Sequence, residues 1–262
     1  MDKKVIDNIV WYIPFRKLRD AVREYLSEQI RLLNNLPDKN YKYDLYTCSL
    51  KIFELLHEED TKESIKYIRE NGSNAIMFTD RMEMFKFVFE EHVKTKDYKD
   101  KLFLEFGVFE GYTINFCSSL IPEAKFYGFD SFEGLPETWH AECFKGEFDV
   151  KGKLPKVNKN VSLIKGYFNE TLPKFLEEHK EKAAFIHIDC DLYSSTKTIF
   201  ENIYDRIVPN TVIQFDEYYN YPGWRNHEFK AFQEFCKKYS VEYEYIGISL
   251  YQVAVVIKSI KN

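Results

Sequence analysis

Phe103-Leu104-Glu105-Phe106-Gly107-Val108-Phe109-Glu110-Gly111 is an apolar β-forming run that ends at an acid, turns on two glycines and opens onto a helical pattern. A second apolar run, Phe126-Tyr127-Gly128-Phe129, then ends in Asp130. A carboxylate at the end of the second strand, about 20 residues beyond a glycine turn, is where α/β folds hold ribose hydroxyls. The glycine pattern is E-x-G-x-x-x-G, not G-x-G-x-x-G. A dinucleotide needs backbone pressed against its pyrophosphate, which the second pattern supplies. A turn with fewer glycines and a carboxylate inside it suits a cationic, phosphate-free cofactor, and S-adenosylmethionine is the one expected. A strand-helix turn with a purely structural role would leave the same glycines.

Working outward from this turn, short apolar runs alternate with helical patterns. The runs are 102–106, 125–130, 161–165, 183–189 and 211–216, with helices near 112–120, 172–179, 195–206 and 226–238. That rhythm predicts an α/β fold, a mostly parallel sheet with helices on both faces. Glu242–Ile248 and Tyr251–Ile257 are separated only by Ser249 and Leu250. The link is too short for a crossover, so a C-terminal antiparallel hairpin is expected. The first hundred residues lack the alternation. Phe15, Leu18, Val22, Tyr25, Leu26 and Ile30 recur at helical spacing, as do Met82, Phe85, Val88 and Phe89 behind an Asp80 cap. The expected division is a helical N-terminal region or cap over 1–100 and a cofactor-binding catalytic domain over 101–262. Residues 131–160 show weak periodicity and contain Gly134, Pro136, Gly146, Gly152 and Pro155. So long a connection is a functional lid or a disordered loop.

Composition narrows the class. Hydrophobic residues at 45% and aromatics at 17% supply a core for 262 residues. With 37 basic against 42 acidic residues there is no electrostatic case for nucleic acid, and the dispersed aromatics read as core packing. Cys48, Cys117, Cys143, Cys190 and Cys236 are scattered and odd in number, which fits a reducing cytoplasm better than a disulfide framework or structural zinc. The apolar start is broken by Asp7, Asn8, Pro14 and Arg16, so neither a signal peptide nor a membrane span is expected. Lys151, Lys153, Lys156, Lys159 and Lys165 fall in an acid-free stretch. It is either a solvated loop or a patch for an anionic substrate such as a nucleotide diphosphate.

Ile186-His187-Ile188-Asp189-Cys190-Asp191-Leu192-Tyr193-Ser194-Ser195-Thr196 places two carboxylates at the end of a buried strand, and the next strand, Val212–Phe215, ends in Asp216-Glu217. Ligands of open α/β sheets sit outside these strand ends. Four converging acids repel one another unless a cation or raised pKa values relieve them. An all-oxygen set suits Mg²⁺, Ca²⁺ or Mn²⁺ better than zinc. A divalent ion favours the alkoxide of a sugar hydroxyl and a carboxylate takes its proton, a double task for which Asp191 is placed. The plain alternatives are Asp191 as a cap for a helix near Ser194 and Asp216 as a partner of Arg225. His187, inside the strand, reads as a satisfied core histidine. His227, opening a helix after the acidic pair, is a candidate second base or substrate contact.

With these pieces assembled, residues 70–257 resemble the macrocin O-methyltransferase (TylF-like) family, class I S-adenosylmethionine-dependent enzymes that methylate sugar hydroxyls. The landmarks are Glu105-Phe106-Gly107-Val108, Gly128-Phe129-Asp130-Ser131-Phe132-Glu133-Gly134-Leu135-Pro136, Gly166-Tyr167-Phe168 with Thr171-Leu172-Pro173, Asp189–Thr196, and Asp216-Glu217-Tyr218. The resemblance implies a Rossmann-like methyltransferase sheet. It implies that Glu105 and Gly107 line the methionine part of the cofactor, with Gly111 completing the turn, and that Asp130 and Ser131 hold the ribose and adenine side near Phe168. Asp189 falls on the cofactor side, and Met77, preceding Arg81, matches a methionine that the family lays over the cofactor. Mg²⁺ is implied on Asp191, Asp216 and Glu217, with Asp191 also the base. The family usually has a second aspartate where this chain has Glu217. Tyr219-Asn220-Tyr221-Pro222-Gly223-Trp224 also departs from antibiotic-tailoring members, which argues against a macrolide substrate.

Ile9–Arg19 resembles a segment near the start of bacterial surface-polysaccharide enzymes. Its Arg16, Lys17 and Arg19, with Arg23, stand beside Trp11, Tyr12 and Phe15. Residues 9–26 are thus a candidate contact with an anionic membrane or an assembly partner, against a helix packed on the catalytic domain. The expected protein is a cytoplasmic, homo-oligomeric O-methyltransferase of a sugar or nucleotide-linked sugar for capsule or lipopolysaccharide. Methylation of another small hydroxyl compound, and a non-catalytic cofactor-binding interaction protein, are the alternatives.

Overall fold

The computed structural model describes Arg23, Leu26, Ser27 and residues 40–139 and 143–261, with side chains of the first long helix described from Glu54 onward. Apart from Arg23 and Leu26, the 9–26 segment and its helical spacing lie outside the described residues. In chain order the elements are α1 (Asn40–Asn71), β1 (Ile76–Met77), α2 (Arg81–Phe87) running into a π-turn (Val88–Val93), β2 (Leu102–Phe106), α3 (Tyr112–Leu120), β3 (Phe126–Asp130), β4 (Val161–Lys165), α4 (Phe168–Glu178), β5 (Ala183–Ile188), α5 (Tyr193–Ile203), β6 (Val212–Phe215), α6 (Glu228–Lys238), β7 (Glu242–Ile248) and β8 (Val253–Ser259).

The strands form one sheet in the order β1-β7-β8-β6-β5-β2-β3-β4. Every pairing is parallel except those of β8, which runs antiparallel to β6 and β7. The C-terminal hairpin is present, but its second strand starts two residues later than its apolar run. The reason is local: Ser249 N–H donates to Gln252 O, and Tyr251 O accepts from Tyr218 N–H, so that backbone serves a turn rather than a ladder. Helix α4 starts at Phe168, earlier than its pattern near 172, because Tyr167 O takes the N–H groups of Glu170 and Thr171.

Period-two alternation sorts the core onto two faces. Leu102, Leu104, Phe106, Ile186, Ile188, Ile213 and Phe215 face α4, α5 and α6. Phe103, Phe126, Phe185, Val212 and Ala254 face α2, the π-turn and α3. The region before residue 100 is helical as read, save for the two-residue strand β1 beside β7. Asp80 caps α2, accepting from Met82 and Glu83 N–H at 2.7 and 3.1 Å. The same segment carries Met84, Phe85, Val88 and Phe89 fully buried into the sheet's core. Phe89 lies 4.7 Å from Phe185 and stacks on Phe103 and Phe126.

The chain leaves β2 toward β3 and β4 on one side and returns through β5 and β6 on the other. This reversal opens a crevice at the carboxyl ends of β2 and β5. Residues 131–139 and 143–160 fold back over it. Leu135 N–H donates to Glu147 O, Gly146 N–H to Leu135 O and Gly152 N–H to Phe132 O, which makes the segment an ordered cover. Among the described residues no helix is long and apolar enough to cross a membrane.

Phe89→Ala should cost about 3–5 kcal/mol in urea denaturation. A loss below about 1 kcal/mol, the scale of an ordinary surface change, would place the 81–93 segment outside the core.

Candidate active site

The crevice is a cavity of about 590 Å³. Its floor is the turn after β2, built around Gly107. The backbone there is left-handed, φ 92°, and a Cβ would lie 1.6 Å from Asp189 O. Only glycine lets the ends of β2 and β5 come so close. Gly107 N–H donates to Phe129 O at 3.0 Å and Asp189 N–H to Phe106 O at 2.8 Å, joining three strand ends.

Asp130 braces this turn from β3. One carboxylate oxygen accepts from the N–H groups of Val108 and Phe109, each at 2.8 Å, and the other from Phe132 N–H at 2.7 Å. A carboxylate has about four acceptor positions, so one remains for a hydroxyl in the cavity. Ser131 stands beside it, its Oγ accepting from Glu133 N–H and donating to Gly134 O. Tyr167 and Phe168 form the neighbouring wall, Phe168 edge-on to Phe106 at 5.5 Å. Val108, Phe109 and Tyr112 line the same side.

Opposite stand Asp189, Asp191 and Glu217, with ligand oxygens that all lie within 4.8 Å of one another. Asp191 has a left-handed φ of 63°, a conformation stored in the turn that leaves β5. It does not cap α5, whose cap position is Leu192. Burial raises the Asp191 carboxyl to about 7, with the Asp216 charge adding to the rise against a hydrogen bond from Glu217. Burial first, and then the Asp216 charge, also raise Asp189 and Glu217 well above the usual range. Glu217 Oε2 is shielded from solvent and has no hydrogen-bond partner. Behind the turn, fully buried Glu228 accepts from Cys190 N–H at 3.3 Å.

Asp216 stands beside this trio, its carboxylate within 4.8 Å of ligand atoms of Asp189 and His187. Arg81 Nη1 donates to both its oxygens, at 3.0 and 2.8 Å, and His187 Nε2 lies 3.9 Å off. His187, fully buried, places Nδ1 3.2 Å from Glu105 Oε2. Burial opposes charge on this imidazole, yet Asp216 and Glu105 lift it to about 10. Burial likewise opposes ionisation of Asp216, and His187 and Arg81 nonetheless hold it below its usual range. A row of alternating charge thus runs from Glu105 through His187 and Asp216 to Arg81.

The structure therefore gathers Gly107, Asp130, Ser131, Phe168, Asp189, Asp191 and Glu217 around one cavity. Asp216 stands beside Asp189 and also belongs to the ion row. Arg225 pairs instead with Glu63 of α1, at 3.0 Å. Glu105 lies beneath the cavity, bonded to His187. Gly111 precedes α3 with Pro155 packed where a Cβ would go, so it admits the cover rather than lining the cavity. Met77 is 65% exposed on β1, at the far edge of the sheet from the β2–β3 turn, and does not line the cavity. His227 stands one layer out, against Trp139 and Tyr221 at 6.1 and 6.2 Å between ring centroids. The acid-free lysines stay off the lining as well; Lys165 bonds Gly152 O instead. Sequence reasoning missed Arg81 as a cavity residue, along with Trp139, Ser194, Ser195 and Thr198. No periodic signal marks residues that reach a cavity from loops or from one turn of a helix.

Residues 104–218 match the family described as a methyltransferase domain. No curated protein matches the sequence. The fold is similar to that of CalS11, a calicheamicin methyltransferase, at 17% identity and a TM-score of 0.52, over 90% of this chain and 92% of that one. It is also similar to that of the O-methyltransferase NovP, at 20% identity and a TM-score of 0.52, over 68% of this chain and 79% of that one. These structures share the fold, and the family match covers residues 104–218.

Replacing His187 with alanine strands the buried Glu105 carboxylate and leaves Asp216 to Arg81 alone. Equilibrium unfolding should show a loss of about 3–5 kcal/mol, the usual cost of breaking a buried ion pair from one side. A near-neutral result would show that the ion row bears little on stability.

Proposed function

We propose that the protein is an S-adenosylmethionine-dependent O-methyltransferase of a sugar hydroxyl, with a nucleotide-linked sugar as acceptor. The observation that carries this reading is the shared cavity: a glycine turn braced by Asp130 on one side, and the trio Asp189, Asp191 and Glu217 on the other. CalS11, whose fold this chain shares, is a TDP-rhamnose 3'-O-methyltransferase of calicheamicin biosynthesis, which supports a sugar acceptor. The Ile9–Arg19 segment supports a place in bacterial surface-polysaccharide synthesis, and the scattered, odd-numbered cysteines support the cytoplasm.

Bound S-adenosylmethionine supplies a methyl group already activated on a sulfonium, so the protein's part is alignment and proton management. Asp130 offers its remaining acceptor position to the ribose, and Tyr167 and Phe168 offer ring faces to the adenine. Gly107 keeps the strand ends close enough for cofactor and acids to share one space. The trio fits Mg²⁺ or another oxygen-preferring ion: it is all oxygen, closely spaced, and includes the unpartnered Glu217 Oε2. Asp189, Asp191 and Glu217 would hold the ion, which supplies Lewis acidity toward the acceptor hydroxyl. Asp191, on the cavity wall, takes the hydroxyl proton. Leu135, Pro136 and Trp139 add apolar surface to the cavity wall.

Isothermal titration with S-adenosylmethionine and S-adenosylhomocysteine should give micromolar binding that survives EDTA, with Mg²⁺ needed only for turnover on nucleotide sugars. Absence of heat with either ligand at two temperatures would sink the reading. Tight binding without turnover on any sugar panel, with or without Mg²⁺, would point instead to a cofactor-binding interaction protein. Once an acceptor is found, Asp191→Asn should lower kcat by about 100-fold or more, the usual weight of a positioned base. Its affinity for S-adenosylhomocysteine should hold.

A further inference from the structure

We infer that Arg81 is the anchor for the α-carboxylate of the cofactor's amino-acid end, an inference that rests on the reading of the cavity as an S-adenosylmethionine site. Among the described residues that line the cavity, Arg81 is the one cation, whereas Glu110, Asp130, Asp189, Asp191 and Glu217 are all acids. A zwitterionic amino acid entering this space has its ammonium matched many times over. Its carboxylate meets a cationic side chain among the lining residues only at Arg81.

Position agrees with charge. Asp130 marks the sugar side at the end of β3, and the sheet order from there is β3, β2, β5, β6. Arg81 is tied to the end of β6 through Asp216, so it stands on the opposite side of the Gly107 turn from Asp130. A cofactor lying across the strand ends with its ribose on Asp130 therefore points its amino acid at Arg81, with Asp189 beside the ammonium. The guanidinium is built for the task. Only Nη1 is used by Asp216, and Nη2 and Nε have no partner among the described residues. The side chain is 36% exposed, toward the cavity it lines. Asp216 thus fixes the arginine in place while a fork of donors stays open for a second carboxylate. This also accounts for an acid beside the trio that serves a cation of the protein's own.

The test compares two ligands in EDTA-containing buffer by isothermal titration: S-adenosylhomocysteine, and 5'-methylthioadenosine, which keeps the nucleoside and thioether but lacks the amino-acid end. Arg81→Met should weaken S-adenosylhomocysteine by about 10- to 100-fold, the usual weight of a charged hydrogen-bonded contact, and leave methylthioadenosine unchanged. Because Arg81→Met also leaves Asp216 without its arginine, Arg81→Lys is measured beside it. It keeps the charge and loses the fork, and should show a smaller loss confined again to S-adenosylhomocysteine. Equal weakening of both ligands, or none, in the folded lysine variant overturns the anchor while leaving the cofactor site standing. A wild-type protein that takes up neither ligand overturns the cofactor site, and the anchor with it.

Discussion

The row of charge from Glu105 through His187 and Asp216 to Arg81 is the interaction on which the site depends. It crosses β2, β5 and β6 and ends on α2, so it ties the two halves of the sheet together at the point where the chain reverses. Three of its members, Glu105, His187 and Asp216, are almost completely shielded from water. An isolated buried charge is costly, and alternation is what makes these tolerable. Because each member neutralises the next, the row holds the strand ends in one arrangement, and the cavity takes its shape from that arrangement.

Asp189, Asp191, Glu217 and Glu228 stand just above this row, without a cation of the protein's own to match each of them. Their raised carboxyls are the direct result: burial and mutual repulsion both favour the proton. A region this rich in acid is poised to take up positive charge, whether as protons, a divalent ion or a sulfonium. The sheet's two faces serve different ends here. One is a wholly apolar packing surface for α4, α5 and α6, and the other carries Glu105, His187 and Gln214 side by side in register beneath the cavity.

Much of this was legible in the sequence. The order of apolar runs predicted the mostly parallel sheet, and the short link after Ile248 predicted the hairpin, because strand periodicity and connection length are local properties. The glycine turn and the acids at the ends of β5 and β6 were legible for the same reason: a strand's end is where its side chains meet ligands. The start of β8 was misplaced because the backbone of Tyr251 answers to Tyr218, a partner more than thirty residues earlier in the chain. The family resemblance lays Met77 over the cofactor, yet β1 sits at the edge of the sheet away from β2 and β3.

The sequence by itself determined the elements, their polarity and the strand ends that bear chemistry, since each follows from patterns within a dozen residues. Only the tertiary structure decided how the acids divide. Asp216 and Glu217 are neighbours in the chain and both come near Asp189, but only Asp216 is paired with a cation of the protein's own, Arg81. That division depends on which groups other segments bring within a few ångströms, and Coulomb's law acts on those distances, not on separation along the chain.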